Sequence, residues 1–444
     1  MKELKIQKAE DRLIIKNGRV IDPANKRDEA TDIVIKDGVI ESIEKSDNAK
    51  SGAQVIDATG LIITPGFFDM HVHFREPGRE DEETIETGSL AAAAGGFTGV
   101  ACMPNTTPVV ENQGIVQLVK SRQTAYCGIY PVGAVTKGLE CQELAEMGDM
   151  FHAGAVAVSD DGKPVTNSNL MRRALDYCRM FDIPVISHCE DLFLSADGAM
   201  NEGALATKLG LRGIPNVAES SMAYRDAQLA ALTGGRLHIA HVSCAETVEV
   251  VRQAKRRGIK ITAETCPHYF ILTEDAVKGY SEMTRVNPPL RGQADVQAIL
   301  EGLEDGTIDC IVTDHAPHSH EEKEVEFDQA PTGMIGLETS LGLCWTHLVE
   351  TGVLTPSQLV EKMSLNPRNI LKIGNGSAVG SGAGLTTGGK IEIGKIADLT
   401  VFDPQSKWTV DPEEFFSKSR NTPFKGFELT GKTVMTVLNG NIIR

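Results

Sequence analysis

The chain has 444 residues, an apolar fraction of 41% and a formal charge of −17, the composition of an ordinary globular protein long enough for one large domain and a smaller one. The acidic balance argues against nucleic acid or an anionic membrane surface as a partner, because both are held through basic patches that this sequence does not carry. No apolar run reaches the roughly 18 residues that span a bilayer, and Met1-Lys2-Glu3-Leu4-Lys5 lacks the apolar core of a signal peptide, so the expected location is the cytoplasm. Nine cysteines are scattered without a C-x-x-C pair and read as reduced core thiols.

Residues 1–62 read as short strands with turn signals. Asn17-Gly18 lies between the β-branched runs of Leu13 to Ile21, and Asp37-Gly38 interrupts Asp32 to Ile40 in the same way, so both are expected to be hairpin turns. The last segment answers the first: Ile391 to Ile393, Leu399 to Phe402 and Val434 to Ile443 are again strand-like. Residues 1–62 and 388–444 are therefore predicted to form one composite β-sandwich, with 63–387 as an inserted domain and the Gly/Ser-rich stretch 374–389 as a linker.

Leu61 to Pro65 reads as a buried strand ending in a turn, and it leads into Gly66-Phe67-Phe68-Asp69-Met70-His71-Val72-His73-Phe74-Arg75. Strand side chains two apart leave on one face, so His71 and His73 can reach the same metal ion. Seven more apolar runs follow, near Gly99–Met103, Tyr126–Val132, Ala155–Val158, Pro184–Ser187, Leu237–His241, Lys260–Ala263 and Asp309–Thr313. Between them, Met171–Phe181, Ser220–Thr233, Thr247–Arg257 and Asp295–Leu303 carry helical periodicity. Eight strand and helix alternations predict an α/β fold, a (β/α)8 TIM barrel, whose functional residues gather at the C-terminal strand ends.

The polar residues at those ends are His71, His73, Asn105, Asp160, Asp161, His188, His241, His268, Asp314, His315 and His318, and they include seven of the chain's eleven histidines. His152, His238 and His347 read as packing residues. Imidazoles and carboxylates together suit zinc and similar divalent ions, and their number exceeds what one tetrahedral ion needs. The surplus suggests two ions sharing a carboxylate, an arrangement suited to hydrolysis. The acidic run Glu321 to Glu326 reads as a solvated loop or helix start, and a lid is an alternative for the loop 315–335.

Several stretches carry a specific resemblance: His73-Phe74-Arg75-Glu76-Pro77-Gly78, Met103-Pro104-Asn105-Thr106, Ser159-Asp160-Asp161-Gly162, His188-Cys189-Glu190-Asp191, Asn287-Pro288-Pro289-Leu290-Arg291 and Thr313-Asp314-His315-Ala316-Pro317-His318. With the H-x-H strand they resemble the amidohydrolase superfamily and, within it, the class I dihydroorotases of pyrimidine biosynthesis. That resemblance implies two Zn2+ ions, with His71, His73 and Asp314 on one, His188 and His241 on the other and Asp161 between them. Asp160 is the competing bridge, and Lys163 is the nearest candidate for the carboxylated lysine that many relatives use. The implied reaction is the reversible closure of N-carbamoyl-L-aspartate to L-dihydroorotate with Asp314 as acid and base. The free carboxylate would be held by Arg75, Asn105 and His318, and the ring edge by Asn287, Thr332 and Gly333.

Rival readings are a cyclic amidase of the hydantoinase, dihydropyrimidinase or allantoinase kind, which has no use for a carboxylate pocket, and a non-catalytic subunit, which should lack the ligands. The resemblance also implies a homodimer and leaves open binding to an aspartate transcarbamoylase.

Overall fold

A computed structural model describes residues 4–7, 12–45, 53–124, 126–374 and 388–444, so most of the predicted linker, 375–387, lies outside the described residues. Eight parallel barrel strands run in chain order: β1 Phe67–Val72, β2 Phe97–Cys102, β3 Gly128–Pro131, β4 Val158–Ser159, β5 Pro184–Ser187, β6 Arg236–Ile239, β7 Ile261–Thr265 and β8 Cys310–Ile311. They are hydrogen-bonded in two arcs, β1 to β3 and β4 to β8. The bridges Gly133 to Val158 and Val72 to His315 join the arcs, so the sheet closes on itself. Every residue of β1 and β2 is buried, as expected for strands covered on both faces.

The covering helices start where side chains satisfy their first free N–H groups. Asn167 accepts from Asn169 N and Leu170 N and starts Ser168–Cys178 three residues earlier than periodicity alone indicates. Helix Ile85–Gly95 opens on a capping box between Thr84 and Thr87 and stops at Gly96, whose φ of 94° suits only glycine without strain.

The terminal sheet contains, among the described residues, nine strands drawn from both ends of the chain. Leu399–Thr409 pairs antiparallel with Ile62–Pro65, which pairs parallel with Arg12–Asp22. Its inner face has a separate apolar core that includes Leu13, Ile33, Ile35, Ile63, Leu399, Val401 and Val437. At the far edge, Ile6–Gln7 pairs with Asn441–Ile443.

Two sequence expectations are corrected here. Asn17-Gly18 is not a hairpin turn: Arg12–Asp22 is one strand, with a register shift between Ile15 and Gly18 opposite Arg27–Lys36. Asn17 takes a left-handed φ of 62°, its N–H donates to Asp32, and Gly18 is packed so closely on Ile63 that a Cβ would lie 2.4 Å from Cδ1. The same dipeptide chemistry that makes a turn here makes a β-bulge. Asp37-Gly38 does join two paired strands, Arg27–Lys36 and Val39–Ile43. The second correction is that Ile62–Pro65 belongs to the terminal sheet; the barrel begins two residues after it, at Phe67.

The junction between the two sheets is held from below by Arg368, which is 4% exposed. Its guanidinium donates to Gly66 O at 2.7 Å and Thr98 Oγ1 at 2.8 Å, and lies 5.1 Å from the centre of the Phe68 ring.

Candidate functional site

The C-terminal ends of β1, β4, β5, β6 and β8 bring His71, His73, Asp161, His188, His241 and Asp314 together. His71 Nε2 lies 3.4 Å from Asp161 Oδ1 and 3.6 Å from Asp314 Oδ1. His73 Nε2 is 3.1 Å from Asp314 and 3.3 Å from Asp161. His188 Nδ1 and His241 Nε2 are 2.8 Å apart and lie 3.6 and 3.5 Å from Asp161 Oδ1. Among the described residues, Asp161 is thus the one carboxylate within 3.6 Å of all four imidazoles.

Three site residues hold left-handed backbone: Arg75 at φ 54°, His241 at 31° and Asp314 at 48°. Such conformations cost about 1–3 kcal/mol each for residues with a side chain and persist where surrounding contacts enforce them.

Carboxylates behind the histidines fix their rings. Glu264, fully buried on β7, lies 2.6 Å from His71 Nδ1 and 3.0 Å from His238 Nε2, so His71 turns Nε2 to the cluster. Burial opposes its ionisation, but the charges of His71 and His238 hold its pKa down to about 2. His238, predicted to be a packing residue, is therefore part of the support for His71. Asn105 Oδ1 lies 2.8 Å from His73 Nδ1, and Glu190 Oε2 lies 3.1 Å from His188 Nε2 and accepts from Asn287 Nδ2 at 3.0 Å. Asp69 accepts from His71 N and Thr313 N, tying β1 to the end of β8. Glu190 and Asp69 stand in motifs read from the sequence but are given no role there, and Glu264 is missed, although a carboxylate inside an apolar strand such as Ile261–Thr265 is itself a signal.

The two alternatives for the bridge separate clearly. Asp160 faces the other way, accepting from Val135 N at 2.7 Å and Thr136 N at 3.0 Å. Lys163 is exposed.

A cavity of about 330 Å³ opens over the cluster, lined by His73, Arg75, Asn105, Asp161, His188, Asn287 and Asp314, with His318, Thr332 and Gly333 on its far wall. Every predicted substrate contact therefore borders one space. Glu82, 2% exposed, organises its cationic end: Oε2 is 3.1 Å from Arg75 Nε and Oε1 is 3.0 Å from His318 Nδ1. His318 Nε2 lies 2.9 Å from Thr332 O. His315 faces away, against Phe74 and Glu83, and His320 is exposed. His268 is buried beside Tyr269, and burial pushes its pKa down to about 4.

Residues 60–247 match the family model described as dihydro-orotase-like. The dihydroorotase of Pelotomaculum thermopropionicum is 52% identical over 438 residues, covering 97% of this chain and 98% of that protein. The chain belongs to the dihydroorotase family. The dihydroorotase of Acetivibrio thermocellus is 49% identical over 433 residues, again covering 97% of this chain and 98% of that protein. Among solved structures, the L-hydantoinase (dihydropyrimidinase) of Arthrobacter aurescens superposes with a TM-score of 0.85 at 26% identity, over 97% of this chain and 95% of that one. The chain is thus a metal-dependent cyclic amidohydrolase by family, with the barrel and β-sandwich of that group. No helix among the described residues is long and apolar enough to cross a membrane.

The donor set fits a metal centre. Among the described residues, His71 Nε2, Asp161 Oδ1 and His241 Nδ1 are buried without a hydrogen-bond partner. The sets His71, His73, Asp314 and His71, Asp161, His241 each present ligand atoms within 4.8 Å of one another. Orphaned buried polar atoms are expensive unless something else satisfies them.

Proposed function

We propose that this chain interconverts L-dihydroorotate and N-carbamoyl-L-aspartate, and that the observation carrying this reading is one cavity bordered both by the His/Asp cluster and by Arg75 and His318. His71, His73 and Asp314 would hold one Zn2+, His188 and His241 a second, with Asp161 between them. Divalent ions there, when bound, polarise a carbonyl and lower the pKa of water.

The protein's own residues do the rest. Arg75 offers a planar set of donors to the free carboxylate, with His318 beside it and Asn105 on the same wall. Asn287, Thr332 and Gly333 would meet the amide edge of the ring, placing the scissile carbonyl over the cluster. In hydrolysis, Asp314 takes a proton from the attacking water and gives it to the ring nitrogen as the carbon–nitrogen bond breaks. In cyclisation, it takes the proton from the ureido nitrogen and gives it to the departing water. One carboxylate serves as base and acid because each direction returns it to its starting state.

Turnover of L-dihydroorotate, dihydrouracil and allantoin, measured together with elemental metal content before and after chelation, tests this reading. Two zincs per chain, loss of L-dihydroorotate turnover on chelation and its return with zinc are expected. Activity on dihydrouracil alone would move the chain to the hydantoinase-like branch.

A further inference from the structure

The substrate contacts at the far wall sit on one loop, 315–335, and its two limbs are joined by a side chain from a distant part of the sequence. Asn421 is 2% exposed. Its Nδ2 donates to Ala316 O at 2.9 Å and Gly333 O at 3.2 Å. Its Oδ1 accepts from His318 N at 3.2 Å, and its main-chain carbonyl accepts from Ile335 N at 3.0 Å. The side-chain amide thus uses both donors and an acceptor at once, on residues that flank or form the cavity wall. Aspartate has the same shape and no donors, and serine is too short to reach both limbs.

Asn421 lies in the connection between two strands of the terminal sandwich, Leu399–Thr409 and Glu428–Leu438. That connection is itself anchored to the loop after β1. Lys418 N donates to Glu83 Oε1 at 3.1 Å, and Ser419 Oγ donates to Glu82 O at 2.8 Å. Glu82 is the carboxylate that contacts both Arg75 and His318. One short segment therefore fixes the main chain of His318 through Asn421 and its ring through Glu82.

We propose that Asn421 is a specificity-determining positioning residue. By setting the separation between His318 and Gly333, it sets the fit between the carboxylate-binding end of the cavity and the ring-binding wall, so the terminal domain completes a substrate subsite of the barrel. This rests on the reading of Arg75, His318, Thr332 and Gly333 as substrate contacts.

Two readouts test it. In steady-state kinetics, Asn421→Asp and Asn421→Ser should raise KM for L-dihydroorotate about tenfold or more, keep kcat within about threefold, and retain the parent's metal content. A KM within twofold of the parent, or a fall in kcat with KM unchanged, would overturn the inference. In hydrogen exchange without ligand, Asn421→Ser should speed exchange of the His318 and Ile335 amides about tenfold while amides of β5 and β6 keep their protection. Unchanged exchange at His318 would overturn the inference whatever the substrate proves to be, whereas a parent inactive on L-dihydroorotate would sink only the substrate reading. If neither variant folds and the parent turns over L-dihydroorotate, protection of His318 and Ile335 in the parent decides the matter: it should rise when L-dihydroorotate binds, and no change would overturn the inference.

Discussion

Asp314 and Glu264 show how differently two buried carboxylates can serve one histidine. Asp314 faces the cavity and lies within 3.6 Å of His71 and 3.1 Å of His73. Burial opposes its ionisation, yet the two imidazoles hold its pKa below the usual carboxylate range. Asp314→Asn keeps the shape and removes the proton shuttle, so turnover should fall about 10²–10⁴-fold with folding intact; turnover near the parent's would remove Asp314 from the chemistry. Glu264 meets His71 from behind, at Nδ1, and meets His238 beside it. Glu264→Gln should weaken metal affinity about 10–100-fold, read by equilibrium dialysis against zinc, because a neutral amide replaces the charged acceptor behind the ring and can turn its NH2 toward Nδ1 instead. The histidines were legible in sequence because strand spacing and the positions after apolar runs are local facts. The Glu264 contact spans 193 positions, and the choice between Asp160 and Asp161 depends on which way one turn faces. Neither is visible in a local pattern.

At the scale of elements, the segment after β8 departs most from its sequence reading. The acidic run does start a helix, His320–Lys323, capped by Ser319, but its single basic residue is not solvated. Lys323 is 1% exposed and donates to Pro331 O at 2.7 Å and Glu282 O at 3.1 Å, pinning the loop at its middle. Glu322 reaches Arg79 at 2.6 Å and clasps the same loop to the one after β1. Burial lowers the Lys323 pKa to about 7. A lysine whose folded pKa is depressed releases its proton in the folded protein while the unfolded chain still holds it. Stability should therefore rise from about pH 7 toward the unfolded lysine value and be flat below. Lys323→Met should lack that rise, so the melting temperature of the parent minus that of the variant should grow by roughly 2–4 °C across this window. An equal difference at pH 6 and pH 9 would mean that the amine does not titrate in the fold. The barrel helices, by contrast, were legible to within a few residues, because their periodicity is intrinsic and only the caps shift their ends.

For the whole molecule, the alternation of strands and helices was enough to indicate a barrel, and the two terminal β segments were enough to indicate a shared sheet. Closure was not, since it depends on bridges such as Val72 to His315 between distant residues. Nor was Arg368, a cation buried where the two sheets join. Removing its side chain leaves part of the hydrogen bonding at Gly66 and Thr98 unmade and opens a void over Phe68. Arg368→Ala should cost about 3 kcal/mol or more in urea unfolding while metal content and KM of the folded protein stay at parental values. A variant as stable as the parent would show that the junction holds without it.

The pairing of Ile62–Pro65 with Leu399–Thr409 also imposes an order on biosynthesis. More than 330 residues separate the two strands, so at about 5–20 residues per second the first waits roughly 17 to 67 seconds on the ribosome for its neighbour. During that interval the nascent chain exposes an apolar strand edge that only the synthesis of Leu399–Thr409 covers, and slow elongation between the two strands would prolong its exposure to aggregation and to chaperones.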